Sequence, residues 1–178
     1  MKKEGVSIVE CEDCNWKKIV KGKWILLDAN AVINIIKYDP DSFLEIIKDL
    51  EVTLFTLQPI ILELNRTNDR TERMKRNIFL NNVEKIGLDQ GLIQKSEEIQ
   101  EKMWLDDYYP ESEDLYLASA IKKYSNGKTF LATSNLSDFR EPLFEKKGFI
   151  LLKNEKSVCT ISLLIFRQEE LLGEKVSF

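Results

Sequence analysis

The chain has 178 residues, and its 43% hydrophobic and 31% charged content fits one globular domain, excluding the disordered and bilayer-spanning classes. Its net charge of -4, from 26 basic and 30 acidic residues, argues against a protein that coats nucleic acid by charge alone. With no histidine, Ser-His-Asp and Cys-His nucleophile pairs, His-ligated zinc and His general bases are all removed, so any catalysis rests on carboxylates, Lys, Cys, Tyr or a carboxylate-bound metal.

Residues 1–23 read as a polar extension with a brief strand near 6–9. Glu10, Glu12 and Asp13 stand where a signal peptide would place its apolar stretch, so the expectation is a cytoplasmic protein without a membrane segment. Cys11 and Cys14 form a lone CxxC followed by a basic stretch, Asn15 to Lys23. Two readings stay open: half of a Zn²⁺ site that a homodimer would complete, or an unligated CxxC in a short hairpin. The regular pattern then covers 24–178 as a single domain.

Trp24 to Leu27 is a short apolar run ending at Asp28, which predicts a buried strand. Helices follow over 30–38 and from Asp39-Pro40, with Pro at the first position. A strand is expected over 52–56, and a helix opens at Pro59. The spacing of Met74, Ile78, Val83 and Ile86 predicts one long helix over 73–86 with these residues facing inward. Helices over 94–105 and 113–124, strands over 129–133 and 148–152 with a short helical piece near 142–147 between them, and a last helix over 158–172 complete the reading. Strands alternating with helices imply a three-layer α/β sandwich with a central parallel sheet of 4–5 strands. In such sheets the site lies at the carboxyl ends of the strands.

Four features interrupt the apolar runs at that edge. Asp28 ends the first strand, where its ordinary role would be an N-cap. Glu63 is the one ionisable residue in Pro59 to Leu64, and Arg66 at i+3 offers it an ordinary surface pair. Asp114 lies in the first turn of its helix, in line with Leu117, Ala118 and Ile121 on the core side. Thr133, Asn135 and Asp138 follow the strand over 129–133, in a composition that also favours an Asx or Ser turn. Each has a bland explanation alone, yet all converge on one sheet edge. Clustered carboxylates repel one another in a low dielectric, and oxygen ligands without His or Cys suit Mg²⁺ or Mn²⁺. Arg66, Arg70 and Arg73, within a run of five basic residues between 64 and 77, offer a track for an RNA backbone or merely a solvated face. Trp104, Tyr108 and Tyr109 would stack on unpaired bases or close the core.

Leu-Leu-Asp28-Ala-Asn-Ala-Val-Ile, Pro59-Ile-Ile-Leu-Glu63-Leu, Glu-Asp114-Leu-Tyr-Leu-Ala-Ser-Ala and Leu-Ala-Thr133-Ser-Asn135-Leu-Ser-Asp138-Phe together resemble the PIN-domain family over about 24–152. The resemblance implies a Mg²⁺ or Mn²⁺-dependent ribonuclease, with VapC-like toxins paired with an antitoxin among its relatives. It makes Asp28, Glu63 and Asp114 metal-binding acids and Thr133 a site residue, with Asp138 as a further ligand. Family members often carry an acid where this chain has Asn135, and the CxxC extension and final helix lie outside the small toxin pattern. A catalytically weak PIN-like scaffold binding RNA or a protein is the alternative. A haloacid-dehalogenase-like phosphatase is disfavoured, because Asn30 replaces the second acid of its DxD pair and no later strand ends in paired aspartates.

Overall fold

The computed structural model describes residues 7–8, 15–105, 109–124, 127–141, 143–153 and 157–167. Cys11, Cys14 and Tyr108, and the side chain of Trp104, lie outside them. Strand β2 (Trp24–Leu27) leads into helices α2 (Ala29–Tyr38) and α3 (Pro40–Asp49), and β3 (Thr53–Leu57) into α4 (Gln58–Leu64) and α5 (Arg70–Leu80). Local chemistry starts these helices. Asp39 accepts a hydrogen bond from the Ser42 N–H at 3.1 Å ahead of Pro40, and Asp69 accepts from the Thr71 and Glu72 amides at 2.8 and 3.2 Å. Strand β4 (Glu84–Ile86), helices α6 (Gln90–Leu105) and α7 (Ser112–Tyr124) and strand β5 (Thr129–Thr133) follow. The chain then turns back on itself through β6 (Phe144–Lys153) and β7 (Val158–Phe166), and at its start β1 (Ser7–Ile8) precedes the short α1 (Trp16–Val20).

The strands form one sheet in the order β1-β6-β7-β5-β2-β3-β4. The parallel part comprises β5, β2, β3 and β4, within the expected four to five strands. β7 runs antiparallel to β5, and β6 antiparallel to β7. Helices and sheet share a single core, in which Ile25, Leu26, Phe55, Leu117, Ile121, Leu131 and Leu163 are fully buried. Because β2 has β5 on one side and β3 on the other, the crossovers leave it in opposite directions, opening a crevice at the carboxyl end.

Several sequence expectations are corrected. The final segment is a strand, not a helix: 158–166 pairs with both β5 and β6. The helical piece near 142–147 is instead the start of β6 from Phe144. The helix expected over 73–86 spans Arg70–Leu80, and Glu84–Ile86 pairs with β3 as an edge strand. Within that helix Phe79 and Leu80 face inward, whereas Met74 and Ile78 are 58% and 61% exposed. The polar N-terminal stretch also contributes to the core, through buried Trp16 and Val20.

Candidate active site

Asp28 stands at the end of β2, at the N-cap position of α2, with extended backbone (φ -76, ψ 157). It is 5% exposed, and its carboxylate makes no full capping bond, so the ordinary explanation does not account for its burial. Its partner comes from the neighbouring strand: the Thr133 hydroxyl, wholly buried at the end of β5, donates to Asp28 Oδ2 at 2.7 Å. The Asp28 N–H donates to the Ala132 carbonyl at 3.1 Å, which holds the two strand ends in register. Burial raises the Asp28 carboxyl above its ordinary value; the Thr133 bond and the Ala29 and Asn30 amides pull it back, and the charge of Asp138 adds to the rise.

After β5 a short 3-10 turn, Leu136–Asp138, re-aims the chain. The Asn135 side-chain carbonyl accepts from the Ser137 amide at 3.3 Å and its hydroxyl at 2.5 Å, while the Asn135 amide group donates to Asp138. Asn135 thus ties Asp138 to the loop as a neutral donor, where a carboxylate would repel it. The Asn135 N–H donates in turn to Thr133 Oγ1 at 3.0 Å, linking this loop to Asp28 through one hydroxyl. A second brace, not read in the sequence, runs from the Asn34 amide on α2 to Ser134 Oγ at 2.9 Å. Its only signal was the placing of Asn30 and Asn34 one turn apart at the start of α2.

Glu63 on α4 and Asp114 in the first turn of α7 complete the group. Burial raises Glu63, the charges of Asp28 and Glu113 raise it further, and Arg66 opposes them. Asp114 is pushed up to about 7, first by burial and then by the charges of Asp138, Asp28, Glu111 and Glu63. Asp114 therefore feels the charges of Asp28, Glu63 and Asp138, carried on three other elements. The expected pair of Glu63 with Arg66 is replaced in part, since Arg66 ion-pairs with Glu113 at 3.7 Å. Arg70 and Arg73 project from α5 beside Asn68 and Asn77 in an open groove, and Arg73 donates to the Thr67 carbonyl at 2.6 Å.

Whether these residues suit a divalent cation can be tested on the donor set. All are oxygen donors of like charge that repel one another, which a hard cation would relieve. Among the described residues, however, no group of three or more stands close enough to close a coordination shell unaided. The fit is therefore one of chemistry and charge. Among the described residues no helix is long and apolar enough to cross a membrane.

No protein-family model matches the sequence, and no curated protein does. Solved structures do resemble the fold. The structure of VapBC2 from Rickettsia felis bound to a DNA fragment from their promoter aligns with a TM-score of 0.55 and 22% identity, over 65% of this chain and 90% of that one. The 2.2 Å structure of VapBC-1 from nontypeable Haemophilus influenzae aligns with a TM-score of 0.52 and 15% identity, again over 65% and 90%. These likenesses define the fold as PIN-like, the class that the acid motifs implied.

Proposed function

We propose that the chain is a metal-dependent endoribonuclease acting on single-stranded RNA. The observation that supports this reading is the buried Asp28 at the end of β2, bonded to Thr133 at the end of β5, with Asp138 tied to the same loop by Asn135 and with Asp114 and Glu63 near enough for their charges to act on one another. These four would hold Mg²⁺ or Mn²⁺. When bound, such an ion supplies a water of lowered pKa and neutralises charge developing on phosphate oxygens. Thr133 keeps Asp28 oriented and charged, Asn135 keeps Asp138 in reach, and Asn34 pins the loop between them. Exposed Arg66 lies at the mouth of the group through its contact with Glu113, and Arg70 and Arg73 extend the positive side for the RNA backbone. No histidine base is needed.

The likeness to VapBC structures supports a toxin-like role with an antitoxin-like protein partner. A groove of about 570 Å³ between α2, α3 and α5, lined by Ile33, Ile36, Leu44 and Ile78 and flanked by Lys37, Asp41, Glu72 and Lys75, offers that partner a surface of mixed character. A catalytically weak scaffold is the second reading. It is favoured by the absence of a three-acid ligand shell among the described residues. Incubating a labelled single-stranded RNA with the chain, before and after adding Mn²⁺, decides between them. The nuclease reading requires cleavage that appears with Mn²⁺ and stops on chelation; binding without cleavage at any metal concentration supports the scaffold.

A further inference from the structure

The amino end of the parallel strands, opposite the acids, carries the reverse charge. Trp24, the first residue of β2, is 41% exposed although its ring packs on Phe55 with 5.9 Å between centroids. Lysines are frequent in the segments that meet at this end. Lys21 and Lys23 precede it, Lys17 and Lys18 lie on α1, and the Trp24 N–H donates across the sheet to the Lys128 carbonyl at 2.8 Å. Lys23 Nζ reaches over the same edge to the Gly127 carbonyl at 3.3 Å. From residue 15 through residue 27 the chain contains no acid. The end of α3 and the turn after it, joined to this edge by the Gly22 N–H to the Leu50 carbonyl at 2.9 Å, hold Lys48, Asp49 and Glu51, a small negative excess beside the lysines.

We propose that this end is a second contact surface, for single-stranded nucleic acid, in which Trp24 stacks on a base while Lys18, Lys21, Lys23 and Lys128 pair with backbone phosphates. Two independent features meet there: point charges that suit phosphates in any sequence, and an exposed ring that suits an unpaired base. The strand and the start of β5 hold Trp24 and Lys128 at a fixed spacing, so the surface is ordered before the ligand arrives. Trp24 and Asp28 mark the two ends of β2, so an RNA that contacts both must pass round the outside of the domain. Only that last step, the RNA's being a substrate, rests on the nuclease reading.

Fluorescence anisotropy with a labelled single-stranded RNA and the whole chain, without divalent metal, tests binding apart from cleavage. Lys21→Glu, Lys23→Glu and Lys128→Glu combined should weaken binding about tenfold or more and flatten the slope of log affinity against log salt by about 2, roughly 0.7 per lysine. Trp24→Phe keeps an aromatic ring on Phe55. It should leave the salt slope unchanged, weaken binding several-fold and remove most of the RNA-induced quenching of tryptophan fluorescence. Far-ultraviolet circular dichroism establishes that both variants fold. Unchanged affinity in the lysine variant, or binding to phosphatidylserine vesicles in place of RNA, overturns the proposal. Failure to cleave with these binding effects intact would instead overturn the nuclease reading alone.

Discussion

The two halves of the sheet are built from the same kinds of residues and do different work. In the parallel half, β2 and β3 each pass directly into a helix, and the polar residues that follow β2, β3 and β5 gather at one end. In the antiparallel half, β6 and β7 fold back on each other, and neither supplies an acid to the group. Ile161, Leu163 and Leu164 of β7 are buried, with the strand packed against helix α7 and strand β5. Topology explains the division. Parallel strands joined by crossovers all end on the same side, whereas a hairpin alternates its ends and cannot concentrate one kind of side chain there.

Substitutions on the two sides should therefore separate activity from stability. Asp28→Asn should lower RNA cleavage by more than about a hundredfold, the loss of roughly 3 kcal/mol of transition-state stabilisation, while the thermal midpoint holds or rises. Leu163→Ala should do the reverse. It removes a fully buried side chain and should cost about 2–5 kcal/mol, visible as a drop of the midpoint by roughly 5–15 °C with cleavage retained below it. A Leu163→Ala protein that melts normally, or an Asp28→Asn protein that cleaves normally, would break the contrast.

A smaller effect sharpens it through pH. The Asp114 carboxyl is raised from 3.8 to about 7 in the folded chain, so between those values the folded state binds more protons than the unfolded one. Stability without metal must then fall as pH rises from about 4 to about 7, and the whole penalty remains above 7. Because Asp114 is only partly buried, solvent screening limits the penalty to about 1–2 kcal/mol, well below the unscreened conversion. Asp114→Asn should remove most of this slope in chemical denaturation at a series of pH values. Leu163→Ala should leave the slope unchanged.

The Thr133 hydroxyl offers a finer test, because it belongs to the core by burial and to the acids by its hydrogen bond. Thr133→Val keeps the shape and should cost about 1–2 kcal/mol, while the Asp28 carboxyl, freed of its donor, should titrate still higher by NMR. The smallest expected change is at Asn135. Asn135→Asp replaces a donor to Asp138 with a like charge, so the metal-free protein should lose about 0.5–1 kcal/mol while Mn²⁺ binds about tenfold tighter by calorimetry. No change in either quantity would remove this loop from the ligand set.

The parallel half was the more legible in the sequence. Trp24 to Leu27 and Thr129 to Thr133 are short apolar runs closed by a polar residue, and that pattern has few structural meanings. The antiparallel half was misread because Val158 to Phe166 is almost continuously apolar, and a run buried on both faces loses the alternation that marks a strand. Its β-branched and aromatic content, in Val158, Thr160, Ile161, Ile165 and Phe166, was the signal that favoured a strand. Glu84–Ile86 was absorbed into a helix because Val83 and Ile86 kept the three-residue spacing beyond the real end at Leu80. At the acids, sequence order gave the elements that carry the carboxylates: the end of β2, α4, α7 and the turn after β5. It did not show that Thr133 and Asn135 act through hydrogen bonds to Asp28 and Asp138, since the first depends on the pairing of β5 with β2 and the second on the shape of the turn after β5.

The sheet's two margins differ in how they are closed. On one side β4 is only three residues long and carries exposed Glu84 and Lys85, a charged stub that offers little template for another strand. On the other, β6 is ten residues long, and its outer side is met by β1 at Leu152 and Lys153 and by Ile19 of α1 against Gly148, where even a methyl group would come within 3.1 Å. β1 therefore blocks the carboxyl-terminal end of the one margin long enough to recruit another chain. A protein lacking residues 1–14 keeps Trp16 and Val20 in the core and loses only the β1 pairing, so it should gain light scattering and thioflavin fluorescence at concentrations where the whole chain stays clear.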